Sequence, residues 1–245
     1  MQVLDTGVAE AQVNMSRDRD LLDDLNPNGV PILHYYDWVG PSATYGHFID
    51  ISKHMDLQKT GCRGLELARR PTGGGIVFHM WDLAFSFLMP ANHPACSANT
   101  LDNYRFVNEV VLDAVKASLS LPEEPLLTPQ HAPEIGPNCT HFCMARPTIY
   151  DVVYRGMKVA GAAQRRTKRG YLHQGTISLA FPDLALLKEV LLSKEEIAYA
   201  MESYAFAPLG REWTLDKLRE TRLLLKEALK CEFMRRFEEL RSLSR

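Results

Sequence analysis

Two short segments concentrate side chains suited to binding and transforming a ligand. In Arg69-Arg70-Pro71-Thr72-Gly73-Gly74-Gly75-Ile76-Val77-Phe78-His79, three consecutive glycines separate two strand-like runs. Glycine costs backbone entropy there, so the turn needs positive φ or a close approach of the backbone to something bound; a mobile hairpin tip is the plain alternative. Arg69 and Arg70, placed just before exposed amides, add donors suited to a phosphate or carboxylate. The run is neither a Walker loop, which needs GxxxxGK[ST], nor a GxGxxG fingerprint. The second segment, residues 158–166 (KVAGAAQRR), leads into Leu172-His173-Gln174-Gly175-Thr176-Ile177. Its small residues let backbone pack against a ligand or a neighbouring strand, and Lys158 supplies a cation. Taken alone, Lys158 also fits a solvated strand position and His173 a structural histidine. Arg165, Arg166, Lys168 and Arg169 form a basic patch, either a solvated loop or a dock for an acidic partner or a phosphate tail.

Cysteine is the other reactive type. Cys62, Cys96, Cys139, Cys143 and Cys231 are odd in number, so at least one thiol is free and a disulfide scaffold is excluded. Cys139, His141 and Cys143 alternate with period two and on a strand would share a face, as part of a zinc site does. A fourth ligand is missing nearby, and closed structural sites usually show paired ligand clusters.

These residues sit in a chain of 245, enough for one large domain or a domain with a small appendage. Hydrophobic residues make up 46% and charged residues 24%, and 28 Lys+Arg against 30 Asp+Glu leave a net charge of −2. That composition is globular and lacks the whole-chain basic excess of many nucleic-acid binders. The apolar runs at 81–90 and 184–192 are interrupted by Asp82 or by Lys188 and Glu189, and fall short of the ~20 residues of a membrane span. The start, MQVLDTGVAEAQVNMSRDRDLL, carries acids early and no secretory signal pattern, so a cytoplasmic address is expected.

Ala11, Met15, Asp18, Leu22 and Leu25 recur at helical spacing across residues 9–25, and Asn26-Pro27-Asn28-Gly29 ends the pattern. Residues 31–38 and 43–48 read as strands around a turn, residues 64–70 and 76–79 as a strand pair flanking the glycines, and residues 82–89 as a further strand. Residues 99–120 form an amphipathic helix with Tyr104, Val107, Val111, Val115 and Leu119 on one side. A proline-rich loop follows over 121–137. Residues 148–154 and 157–160 read as a hairpin turning at Arg155-Gly156. If Tyr154 pairs with Met157, Val153 faces Lys158 and Asp151 lies diagonal to Lys158 on the same face. A strand at 171–179, a helix at 182–191 and a long helix at 214–240, capped by Thr214 with Asp216 in its first turn, complete the pattern. Strands before and after one central helix make the class α+β, a mixed, mostly antiparallel sheet packed with helices.

RRPTGGGIVFH resembles the RRxxGGGxVxH signature of lipoate-protein ligase A and its relatives. KVAGAAQRRTKRGYLHQGTI resembles their KxxGxAxxR...LHHGT segment, in the same order. The N-terminal helix and the ATYGHF run are similar to the same catalytic domain, so the resemblance covers residues 1–195. Residues 196–245 are then a C-terminal helical extension of that domain, too short for the ligases' accessory domain. The GRGRxGR loop of the related biotin ligases is absent. The resemblance implies attachment of an octanoyl or lipoyl group to a lysine of lipoyl domains, those of 2-oxoacid dehydrogenases and the glycine-cleavage H protein, with no nucleic-acid or membrane partner.

Residues 143–158 (CMARPTIYDVVYRGMK) are similar to the CxxxPxxYxxVxxGxK stretch of cysteine-dependent octanoyltransferases, whose cysteine carries the acyl thioester. This implies Cys143 as nucleophile and Lys158 as the cation that stabilises thiolate and then oxyanion. Arg70, Gly73, Gly74, Gly75, His79, Gly161, Ala163, His173 and Gly175 would shape the acyl and donor site. Transfer from acyl carrier protein requires no cofactor. The alternative activates lipoate with ATP and Mg2+ as an adenylate, with Asp151 as metal candidate; the ligases show Asn-Asp where this chain has Tyr150-Asp151. A third alternative is a non-catalytic acyl-binding module, because Met80 replaces the acid after the family's histidine and Gln174 replaces its second histidine.

Overall fold

Strand β6 (Asp82–Pro90) is buried along its whole length, as a strand must be when both faces of its sheet are covered. The computed structural model describes residues 1–129, 142, 144 and 147–243. A seven-stranded sheet runs in the order β1-β2-β6-β10-β9-β8-β7. Its strands are β1 (Gln2–Ala9), β2 (Ile32–Trp38), β6, β7 (Leu126–Leu127), β8 (Val152–Tyr154), β9 (Met157–Thr167) and β10 (Gly170–Ser178). Only β1 and β2 pair in parallel; the remaining neighbours are antiparallel. A second sheet, β4-β3-β5, comprises β3 (Ser42–Tyr45), β4 (Glu66–Arg69) and β5 (Ile76–His79). The class is therefore α+β with mixed, mostly antiparallel sheets.

The helices cover these sheets with the faces their spacing dictates. Helix α1 (Ala11–Asp23) buries Ala11, Met15, Asp18 and Leu22, the predicted stripe, and packs between the sheets against Tyr36, Trp38, Ala68, Leu88 and Leu172. Helix α3 (Thr100–Ser118) is capped by Asn99, whose side chain accepts from the Leu101 amide, and buries Val107, Val111 and Val115. Helix α6 (Leu215–Leu243) starts where Thr214 accepts from the Lys217 amide at 3.2 Å. Its Leu225, Leu229 and Phe233 join Phe85, Phe87 and Tyr171 in the main core. Helices α2 (Leu57–Cys62), α4 (Leu184–Val190) and α5 (Lys194–Tyr204) flank the smaller sheet. No helix among the described residues is long and apolar enough to cross a membrane.

Three expectations change. The strands around the glycine triplet do not pair with each other, because β3 lies between them and pairs with both. Residues 165–169 belong to the long β9-β10 hairpin instead of a loop. Helix α5 falls at the start of the helical extension, where the spacing alone marks no separate helix.

Candidate active site

The hairpin register follows the spacing argument: Tyr154 pairs with Met157 and Val153 with Lys158. Asp151 lies diagonal and closes an ion pair with Lys158, Nζ to Oδ2 at 2.7 Å. Both are buried, Lys158 at 3% exposure and Asp151 at 0%. A buried pair is tolerated only when its other valences are met. Asp151 Oδ1 accepts from the Tyr104 hydroxyl at 2.5 Å, and Oδ2 accepts from the Thr148 amide at 2.6 Å and its hydroxyl at 2.9 Å. Burial, and next the Asp151 charge, push the Tyr104 hydroxyl far above its usual range, so it stays a donor. Four donors therefore converge on one carboxylate. On the far side the Lys158 carbonyl accepts from the Phe206 amide at 2.8 Å, fixing the lysine backbone between β8 and the end of α5.

The register slips between Val152 and Val153, because Ala160 pairs with Val152. This bulge turns Lys158 and Gly161 to the same side. The lysine stem crosses directly over Gly161, and a Cβ there would collide with Lys158 Cε and Nζ. Glycine is required at 161 because the ammonium occupies the space.

Arg70 does not present its guanidinium to a ligand. It is buried and donates to the carbonyls of Thr44, Gly73 and Gly75 and to the Thr44 hydroxyl, stapling the glycine turn onto β3. Gly74 adopts φ 78°, and a Cβ at Gly46 would strike the Gly74 carbonyl. The two backbone segments thus pass closer than any side chain permits.

His79 Nε2 meets the Thr44 hydroxyl at 2.7 Å and Nδ1 meets Asp82 Oδ2 at 2.7 Å. Trp38 stacks on the imidazole at 4.2 Å. Burial works to raise the Asp82 carboxyl, but His79 and the Thr176 hydroxyl outweigh it and hold it below the ordinary value. His79 thus has its acid partner at 82, two positions beyond Met80. The turn between them is strained, with Met80 at φ 97°, and Arg222 of α6 clamps it through the Met80 and Asp82 carbonyls at 2.6 and 2.8 Å.

Gln174 joins another buried network. Its amide donates to Asp18 Oδ2 at 2.6 Å and its oxygen accepts from Thr72 at 2.6 Å, linking α1 to the glycine turn. Asp18 also receives Ser86 and meets His34. His173, the preceding residue on β10, must point to the opposite face. It stacks on Phe85 beneath α3, away from the Lys158 cavity, and stands behind Gln164 and Tyr104. The Gln164 amide satisfies both its atoms when its oxygen accepts from His173 Nδ1 at 2.9 Å. Among the described residues His173 Nε2 has no partner, and burial depresses the imidazole pKa to about 3.

Lys158 and Ala163 face two adjoining spaces. A narrow slot of about 30 Å³ is lined by Met15, Tyr36, Val77 and Met144 beside His79, Gly161, Gly175 and Thr176. An open cleft of about 520 Å³ is bounded by Gly73, Gly74, Gly75, Leu101 and Thr148. From β9 to β2 the slot crosses three strand spacings, ~14 Å. An ammonium at the junction of an apolar slot and an open cleft can stabilise negative charge on a carbonyl oxygen entering from the cleft. Cys143, with Cys139 and His141, lies outside the described residues. Its chain neighbours are described: Phe142 is buried and pairs with Ile76, and Met144 lines the slot. Among the described residues, no group of three His, Cys, Asp or Glu could hold a metal ion.

The sequence profile of the lipoyl protein ligase A/B catalytic domain matches residues 10–208. Octanoyltransferase LipM of Geobacillus kaustophilus is 30% identical over 182 residues, 72% of this chain and 64% of that protein. The chain thus spans less than two thirds of that relative. Octanoyltransferase LipM of Bacillus subtilis is 27% identical over 234 residues, 93% of this chain and 82% of that protein. A bipartite lipoate protein ligase from Thermoplasma acidophilum, studied with its E2 lipoyl domain, superposes with TM-score 0.66 at 22% identity over 94% of this chain and 83% of that one. A lipoate-protein ligase A bound with ATP gives 0.65 at 20% identity over 94% and 85%. These two likenesses concern the fold.

Proposed function

The chain belongs to the lipoyl protein ligase A/B catalytic-domain family, and on that premise we propose that it transfers an octanoyl or lipoyl group through a Cys143 thioester to the acceptor lysine of a lipoyl domain. The observation that carries this reading is the buried Lys158 ammonium, set by Asp151 where the apolar slot meets the cleft. The acyl chain enters the slot between Met15, Tyr36 and Val77, whose side chains part to admit it, since about 30 Å³ holds only a water or two. Cys143 thiolate attacks the carbonyl of an incoming acyl thioester, Lys158 donates to the developing oxyanion, and the carrier thiolate departs and takes up a proton. In the second half the acceptor amine attacks the Cys143 thioester. The amide forms, Cys143 leaves as thiolate, and the proton lost by the amine neutralises it. No ATP is consumed, because a thioester is already reactive enough for amine attack.

Activation of lipoate with ATP and Mg2+ is the competing reading. It needs carboxylate oxygen free for the metal, whereas Asp151 already accepts from four donors. We read α6 as part of the same catalytic domain, since its apolar face fills the core beside Phe87. The acceptors are lipoyl domains of 2-oxoacid dehydrogenases and the glycine-cleavage H protein, with acyl carrier protein as donor. A cytoplasmic setting fits the free thiols of Cys62, Cys96 and Cys231. Intact-mass measurement after incubation with octanoyl-carrier protein tests the proposal. One hydroxylamine-labile octanoyl adduct, lost in Cys143→Ser, is expected. Acceptor modification that requires ATP and survives Cys143→Ser would replace transfer by ligation.

A further inference from the structure

Cations on the described surface are mostly neutralised. Along α6, Lys217, Lys230 and Arg235 each meet a carboxylate of their own helix. Beside the residues that line the Lys158 cleft, several cations meet backbone carbonyls instead. Arg69 donates to the His47 carbonyl, Arg165 to that of Pro71 and Arg166 to that of Ser97. Among the described residues none of these three, nor exposed Lys168, forms an ion pair. Arg165 shares a strand face with Gly161 and Ala163 and stands ~13 Å along β9 from Gly161, four residues at 3.3 Å each. Arg69 flanks the other side of the glycine turn. Two apolar side chains of this region are exposed: Phe48 at 90%, two residues from Gly46 where β3 meets the glycines, and Leu101 on the cleft wall at 40%.

We propose that this cationic rim, with Phe48 and Leu101 beside it, is the docking surface for an acidic carrier protein that delivers the acyl group on a thioester arm. The inference rests on the transfer reading above and names where its donor binds. Charge complementarity selects an acidic protein, since an apolar centre within a charged rim is the anatomy of a protein interface. The depth selects the donor over the acceptor. Lys158 is 3% exposed, and an acceptor lysine's four-carbon stem cannot span ~13 Å, so whatever rests on the rim must carry a longer arm. The acceptor then approaches from another side of the cleft.

The test uses the full chain, Arg165→Glu combined with Lys168→Glu, and separately Phe48→Ala. Binding of octanoyl-loaded acyl carrier protein is titrated calorimetrically at low and high salt, and acylation by octanoyl-N-acetylcysteamine, a small thioester, is followed in parallel. Expected are an increase of about 10-fold in carrier Kd for the double variant, salt-sensitive wild-type binding, and an unchanged small-thioester rate. Docking is overturned if the carrier binds wild type and double variant equally, if wild type does not bind it at low salt, if the KM of the acceptor domain rises instead, or if a duplex oligonucleotide binds the rim more tightly. Failure of the small thioester to acylate wild type would count against the transfer reading, while the titration still decides the docking.

Discussion

His173 makes the stability of the protein fall with mild acid, by an amount that can be worked out. Its imidazole is wholly buried and its pKa is depressed to about 3 by desolvation. The unfolded chain binds a proton near the ordinary value of 6.5. The unfolded state is therefore the one that gains a proton first, so the contribution of His173 is fully present above pH 6.5 and is lost as pH falls towards 3. At pH 5 the gap crossed is 6.5 − 5 = 1.5 pH units, worth about 2 kcal/mol at 1.36 kcal/mol per unit. Urea unfolding at pH 7 and pH 5 of wild type and His173→Asn isolates this contribution, because every other titrating group is common to both. Asparagine keeps a donor for Gln164 and does not titrate. Wild type should lose about 2 kcal/mol more than the variant between the two pH values. Parallel losses would refute the burial argument and mean that water reaches His173.

Three further outcomes follow from the geometry. Gly161→Ala forces the Lys158 stem aside, and because a misplacement of about 1 Å costs roughly 100-fold, acyl transfer should drop by that order while circular dichroism stays native. Asp151→Asn leaves a buried ammonium without its counter-charge, so unfolding by urea should show a loss of about 3–5 kcal/mol, with transfer falling alongside. Met15→Ala should lengthen the far end of the slot. With each methylene worth about 0.8 kcal/mol, the ratio of kcat/KM for decanoyl over octanoyl thioester should rise about 10-fold; an unchanged ratio would mean that another residue ends the slot.

The hairpin that builds the centre was legible because its rules are local. A two-residue turn at Arg155-Gly156 fixes which residues face each other, and from that register alone Asp151 falls beside Lys158. Helix α1 was legible for the same reason, since its stripe repeats every three to four residues. What could not be read is non-local. The glycine-flanking strands look like a hairpin in sequence, yet β3, some twenty residues earlier, inserts between them. Gln174 looked like a departure from the expected histidine; its function of joining Asp18 to Thr72 depends on three elements meeting. His173 beside it was assigned to the donor site, although strand alternation sends the two side chains to opposite faces. Met80 stands where the family carries an acid, and nothing local in the sequence shows that His79 meets Asp82 across the strained turn.

The central claim is that Lys158 stands where an acyl group leaves a sulfur for a foreign amine. It is tested most directly by purifying the octanoylated protein free of donor and nucleotide, adding a lipoyl domain, and following both masses with time. The account predicts that octanoate disappears from the enzyme and appears on the domain in equal amounts, and that Lys158→Ala slows this chase by orders of magnitude. Retention of the label until ATP is supplied, or an undiminished chase in Lys158→Ala, would contradict it.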